Sequence, residues 1–159
     1  MFFNYFIAGF AGIAGIIIGI LVSKGALEEV KEFYQSFRLI RDNLFLFAAA
    51  FFFYHTGIII TIISLAMLII VIHHFNKKEV SNLIALLMMI MLILTMQTNV
   101  YWLLCSMFLI IGMVEAGLWS SEHKKLFKKG ILSKELWHKV FKDHALYMLL
   151  PLAGIVFIV

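Results

Sequence analysis

Residues 43–75 constrain this chain most. The stretch opens Asn43-Leu44-Phe45-Leu46-Phe47 and passes through three alanines and three phenylalanines to Tyr54, His55, Thr56 and Gly57. It then continues almost wholly aliphatic to His73, His74 and Phe75. It holds no Asp, Glu, Lys or Arg. A transmembrane helix needs roughly 20 apolar residues, and this run is about half as long again. It reads either as one steeply tilted span or as two spans meeting at Tyr54–Gly57. That choice decides on which side of a membrane every charged segment falls.

A membrane is the expected solvent because 64% of the 159 residues are hydrophobic. A soluble domain of this size has too little interior to hide so much apolar surface. In lipid only helices and closed barrels satisfy the backbone. The apolar runs here are continuous rather than alternating, so the expected fold is all-α: one polytopic transmembrane domain over residues 1–159. The single cysteine, Cys105, lies in an apolar run and reads as a packing residue. The net charge of +4 reads as a cytoplasmic face near anionic lipid, not as a nucleic-acid surface.

The first expected span covers residues 5–22. Ala11, Gly15 and Gly19 recur on one face, the small-residue pattern for close approach of a second helix. That face is a candidate contact with other membrane subunits or with a second copy of the chain. Residues 26–43 are amphipathic, with Leu27, Val30, Tyr34, Phe37, Ile40 and Leu44 as the apolar stripe. They read as an interfacial helix or as the wet lower end of the second span. Residues 80–119 read as a hairpin turning at Gln97-Thr98-Asn99. Residues 120–143 hold seven lysines. Ser133 is placed there to cap an amphipathic helix with Leu136, Trp137, Val140, Phe141 and His144 as its stripe. Ala145 to Val159 is a last apolar run.

The distribution of charge favours two spans in 43–75. With a turn at Tyr54–Gly57, all 13 Lys and Arg residues fall on one side. The opposite side keeps only uncharged turns, as the positive-inside bias requires. The expected topology is six spans, near 5–22, 37–54, 57–74, 80–97, 100–119 and 145–159. Both termini lie outside and the basic loops are cytoplasmic; five spans is the alternative. Two basic amphipathic segments, 26–43 and 120–143, accompany the spans. Tyr5, Tyr54, Tyr101 and Trp102 would mark the outer interface, and Trp119, Trp137 and Tyr147 the inner.

Glu115 is the one acidic residue within the apolar body of a span. Intramembrane carboxylates are costly and are paired or functional. Arg41 and Arg38, at the inner end of the second span, fall at similar depth. The three are read as an intramembrane charge pair, with a proton or cation relay as the alternative. His73 or His74 and His144 are candidate haem ligands, because a bis-histidine haem takes its ligands from two helices at one depth. A metal site from His73, His74, Glu122 and His123 lacks a recognisable spacing. No nucleophilic triad or phosphate loop is placed. The only aspartates, Asp42 and Asp143, argue against a two-aspartate membrane protease.

Arg38 to Asn43 before a long apolar helix resembles the Arg/Asn stretch opening the second helix of the membrane-associated eicosanoid and glutathione metabolism proteins. The glutamate that should follow is absent, and that family has fewer spans, so the resemblance is not adopted.

The functional expectation is a small, non-catalytic subunit of a larger membrane complex, such as a respiratory or ion-translocating one, seated in the cell membrane. A homo-oligomeric transporter or channel is the alternative. A membrane anchor binding haem b or quinone, or a membrane enzyme, is a further one.

Overall fold

Long segments with apolar side chains on every face must satisfy their backbone groups internally. In this chain they do so as helix. The computed structural model describes residues 2–54, 58–74, 77–95, 100–127, 130–131, 133–145 and 147. Among them are eight helices and no strand: α1 (Phe2–Gly25), α2 (Leu27–Glu32), α3 (Tyr34–Phe53), α4 (Ile58–His74), α5 (Lys77–Thr95), α6 (Val100–Glu122), α7 (Lys124–Phe127) and α8 (Lys134–Asp143). The fold is all-α.

Helix α6 organises the others. It packs against α1, α2, α3 and α5. Tyr101, Leu104, Phe108, Ile111 and Ala116 bring it into the core with Ile16 and Ile20 of α1, Phe45 and Ala48 of α3, and Ile84 and Met88 of α5. Among the described residues α6 alone is long and apolar enough to cross a membrane. The apolar stretches Phe10–Gly25, Thr61–His74 and Val80–Leu92 are shorter.

The run 43–75 is not one described helix. Helix α3 ends at Phe53 and α4 starts at Ile58. The two pack together, and the Thr61 hydroxyl donates to the Phe53 carbonyl at 2.9 Å. The expected turn residues His55–Gly57 and Gln97–Asn99 lie outside the described residues, as does the last apolar run beyond Tyr147.

Two expected apolar stripes are corrected. The segment 26–43 breaks at Phe33 into α2 and α3. On α3 the buried residues are Arg41, Phe45, Ala48 and Ala49, while Ile40 is exposed. The stripe expected for a helix lying on water is therefore rotated by about one residue. On an apolar helix the polar side chain, not the aliphatic one, has most to gain from facing other helices. On α8, Ser133 caps the helix by accepting from the Leu136 N–H at 3.3 Å. Leu136, Val140 and His144 are buried, but Phe141 is exposed and does not belong to the stripe.

The glycine face of α1 is occupied within the chain. A Cβ on Gly15 would collide with the Leu109 carbonyl oxygen, and one on Gly19 would collide with Met113 and Ala116. Gly15 and Gly19 thus set the closeness of α1 to α6. They are buried there and are not open to a second copy. Ala11 remains only partly buried.

Candidate functional site

One end of the bundle collects the charged side chains. Helices α1 and α6 finish there, and α3 and α5 begin there. Arg41 of α3 is 3% exposed and reaches Glu115 of α6, Nη1 to Oε2, at 2.8 Å. Its Nε and Nη2 both donate to Oδ1 of Asp42, at 2.9 and 2.7 Å. A guanidinium presents a planar fork of five N–H donors, which suits it to bridging two carboxylates. Arg38 lies at the edge of this group, with Nε 3.9 Å from Asp42. Of the three residues expected to meet, the structure joins Arg41 directly to Glu115, and Arg38 only to Asp42.

Beside the pair lies a cavity of about 380 Å³. Tyr34 and Arg41 line it from α3, Ser81 and Asn82 from α5, and Glu115, Trp119 and Glu122 from α6. His123 follows α6, and Lys139, Asp143 and His144 come from α8 and its C-terminal cap. Most of these groups are engaged. The Tyr34 hydroxyl donates to Glu122 Oε1 at 2.7 Å. Trp119 Nε1 donates to Asp143 Oδ2 at 2.9 Å, and Lys139 Nζ lies 3.2 Å from the same carboxylate. His123 stacks on Trp119 with ring centroids 4.4 Å apart, and its Nδ1 is 3.0 Å from the Trp119 carbonyl oxygen.

His144 differs from all of these. It is 3% exposed, and among the described residues neither ring nitrogen has a hydrogen-bond partner. Its ring meets those of Trp119 and Tyr147 edge-on. Burial pushes its pKa below the ordinary histidine value, against the opposing pull of Glu115 and Asp143. A neutral imidazole carries one donor and one acceptor, and here both are unmet. Buried hydroxyls nearby show the usual solution: Ser23 donates to the Gly19 carbonyl and Ser120 to that of Ala116, each within its own helix. At the Tyr34 edge, burial first and the Glu122 carboxylate second raise the phenol pKa to about 12.

The histidines considered for haem are not brought into one place. His73 and His74 are exposed. His73 lines a separate groove with Gln35, Arg38 and Asp42, whereas His144 lines the charged cavity. Among the described residues no group of three His, Cys, Asp or Glu side chains is arranged to hold a metal ion.

Sequence reasoning passed over several members of this site. In the sequence Trp119 reads as an inner-interface marker and Tyr34 as part of an apolar stripe, and Asn82 and Lys139 carry no role. Tyr34, Asn82 and Trp119 converge through the packing of α3, α5 and α6, and Lys139 joins them because α8 folds back against α6. No spacing in the sequence signals that contact.

Comparison with protein-family models, with curated proteins and with solved structures finds no match to this chain.

Proposed function

We propose that the chain is a multi-pass integral membrane protein, a single domain of about six spans. It acts as a non-catalytic subunit of a larger membrane assembly. In this reading the charged end faces the cytoplasm, and the basic segments around α2 and α8 meet a partner or anionic lipid there.

The observation that carries the reading is the one-sidedness of the polar groups. Arg41, Glu115, Asp42, Glu122, Asp143 and Lys139 all gather at one end. From Leu44 to Phe53 on α3 and from Val100 to Val114 on α6, the polar side-chain groups are the Tyr101 hydroxyl, the Trp102 indole N–H, the Cys105 thiol and the Ser106 hydroxyl. A conduit needs polar groups along its length; these segments supply few. The Arg41 cluster is also satisfied by its own members, which suits a structural core. Large apolar side chains such as Phe10, Leu21, Ile62, Met67, Ile70 and Leu94 are exposed and suited to lipid or neighbouring subunits.

Native membranes expressing the full chain, mildly solubilised, should release it in an assembly containing other polypeptides. A particle whose mass is a whole-number multiple of this chain alone would overturn the subunit reading in favour of the homo-oligomer. Topology has its own test. A cysteine at Thr56 should label with impermeant reagent from outside; labelling only after permeabilisation would favour five spans.

A further inference from the structure

The charged end has a second opening, between α3 and α4. Gln35, Arg38 and Asp42 follow one another along α3 at three- and four-residue steps, and Leu46 continues the same stripe. Thr61 of α4 meets Phe53 at one end of α3, and His73 joins Gln35 and Arg38 at the other, so the two helices run antiparallel. The groove between them has a volume of about 430 Å³. Ile72 is buried in it and Leu46 is half-buried, while Leu39 and Ile69 form exposed rims.

The two ends of this groove differ in chemistry. Gln35, Arg38, Asp42 and His73 gather toward the start of α3 and the end of α4, and Leu46 and Ile69 lie farther along, toward the apolar body of the bundle. Asp42 is held by Arg41, which donates twice to its Oδ1. Arg38 comes only within 3.9 Å of Oδ2, and among the described residues it makes no hydrogen bond. Its fork of N–H donors matches two oxygens of a phosphate. The Gln35 amide and the His73 ring each carry a further N–H to donate. A free anion would use this end and leave the aliphatic walls idle. A purely apolar partner helix would cover Arg38 and His73 without matching them. A phospholipid uses both ends, and basic sites between helices at the cytoplasmic level suit such headgroups.

We propose that the α3–α4 groove holds one phospholipid molecule. Its phosphate is bound by Arg38 and flanked by Gln35 and His73, and one acyl chain lies along Leu46, Ile69 and Ile72. The site rests on the membrane reading of the chain and assigns one specific lipid contact within it.

The full chain, stripped of lipid in detergent, is titrated with dioleoyl phosphatidylglycerol, and the one-to-one adduct is counted by native mass spectrometry. This lipid has no headgroup amine, so its binding reports the phosphate contact. Dioleoylglycerol, with the same chains and no phosphate, should bind at least about tenfold more weakly. Arg38→Gln should weaken phosphatidylglycerol at least about tenfold and leave dioleoylglycerol unchanged. Its thermal stability should hardly move, because the Arg38 contact is long and partly exposed. Ile69→Trp fills the exposed rim and should expel the lipid with Arg38 intact. Equal affinity for the two lipids, or no loss in Arg38→Gln, leaves nonspecific annular lipid and overturns the proposal. Displacement by glycerol 3-phosphate, which lacks chains, would assign a soluble anion instead. Loss of a co-purifying polypeptide in Ile69→Trp, with phosphatidylglycerol affinity unchanged, would give the groove to a protein partner. Extraction with alkaline carbonate tests the underlying reading separately. A chain that stays in the membrane but fails the lipid titration overturns the lipid site alone; a chain released by carbonate overturns both.

Discussion

Helices α1 and α3 both pack on α6, and they do so by opposite means. At the α1 seam the side chains are missing. Gly12, Gly15 and Gly19 face Phe108, Leu109, Met113 and Ala116, and backbone lies almost on backbone. At the α3 seam the longest side chain available, Arg41, spans the gap to Glu115. Between helices in lipid there is no hydrophobic driving force, because the tails are as apolar as leucine. Association must then come from close dispersion contact or from polar groups that have nowhere better to go. In the proposed membrane reading, this chain uses the first at α1 and the second at α3. The first seam depends on shape and has no tolerance for added atoms. The second depends on charge and has no tolerance for an unmatched partner.

The largest effect should come from adding atoms to the shape seam. Gly15→Val places a branched side chain against the Leu109 carbonyl, a backbone atom that cannot rotate away. The helices must separate along the whole contact, and the expected loss is about 3 kcal/mol or more, the upper end for overpacking. Gly25→Ala is the control. A Cβ there meets nothing within 4 Å, so the same chain should be unaffected or gain up to about 1 kcal/mol. Unfolding curves in mixed detergent would measure both. Equal effects at Gly15 and Gly25 would break the distinction between the seams.

The charge seam should yield next, and with a different signature. Arg41→Gln and Glu115→Gln each leave a buried charge without its main partner. Breaking a fully buried pair costs about 3–5 kcal/mol, which is expected for Arg41→Gln; in Glu115→Gln Asp42 still contacts Arg41, so about 2–3 kcal/mol is expected there. The double substitution removes both charges and should cost less than the two singles together. That non-additivity, measured in a double-mutant cycle, is the mark of a direct pair. The glycine seam has no equivalent rescue. Strict additivity would mean that the two residues act apart.

The two seams also differ in how far they are legible from sequence. Helix itself follows from the continuous apolar runs, and Glu115 stands out because carboxylates in such runs are rare. The small residues on α1 announce a close contact but not with which helix; α6 rather than a second chain takes that face. On α3 the obstacle is different. A helical wheel of residues 26–43 puts Ile40 with the apolar residues and Arg41 with the polar ones, which on a water-exposed helix means Arg41 outside. Next to α6 the preference reverses, since Glu115 gives Arg41 a reason to face inward. The cavity is least legible of all. Tyr34, Asn82, Trp119 and His144 come from four parts of the chain; the packing of α3, α5 and α6 joins the first three, and only α8 adds the last.

The smallest effect separates the seams by pH. Helix α1 meets α6 through glycines, Leu109, Met113 and Ala116, none of which titrates. The edge of the α3 contact carries Tyr34, whose hydroxyl donates to Glu122. Burial is the larger cause and the Glu122 carboxylate the next in raising this phenol from 10.0 to about 12. The fold therefore favours the protonated phenol over its ordinary tendency to ionise. The stability this contributes is fully present below the unfolded value near 10 and is lost as pH rises through about 12. Tyr34 is only partly buried, so the change should be small and screened by solvent. Tyrosinate absorbance of the folded chain minus that of Tyr34→Phe should show one phenol ionising near 12. In Glu122→Gln that titration should move down but stop short of the ordinary value, because burial remains. If Tyr34 ionises near 10 in the unaltered chain, its bond to Glu122 is not maintained in solution. If the alkaline loss of stability persists in Tyr34→Phe, the sensitive group lies elsewhere than at the α3 edge.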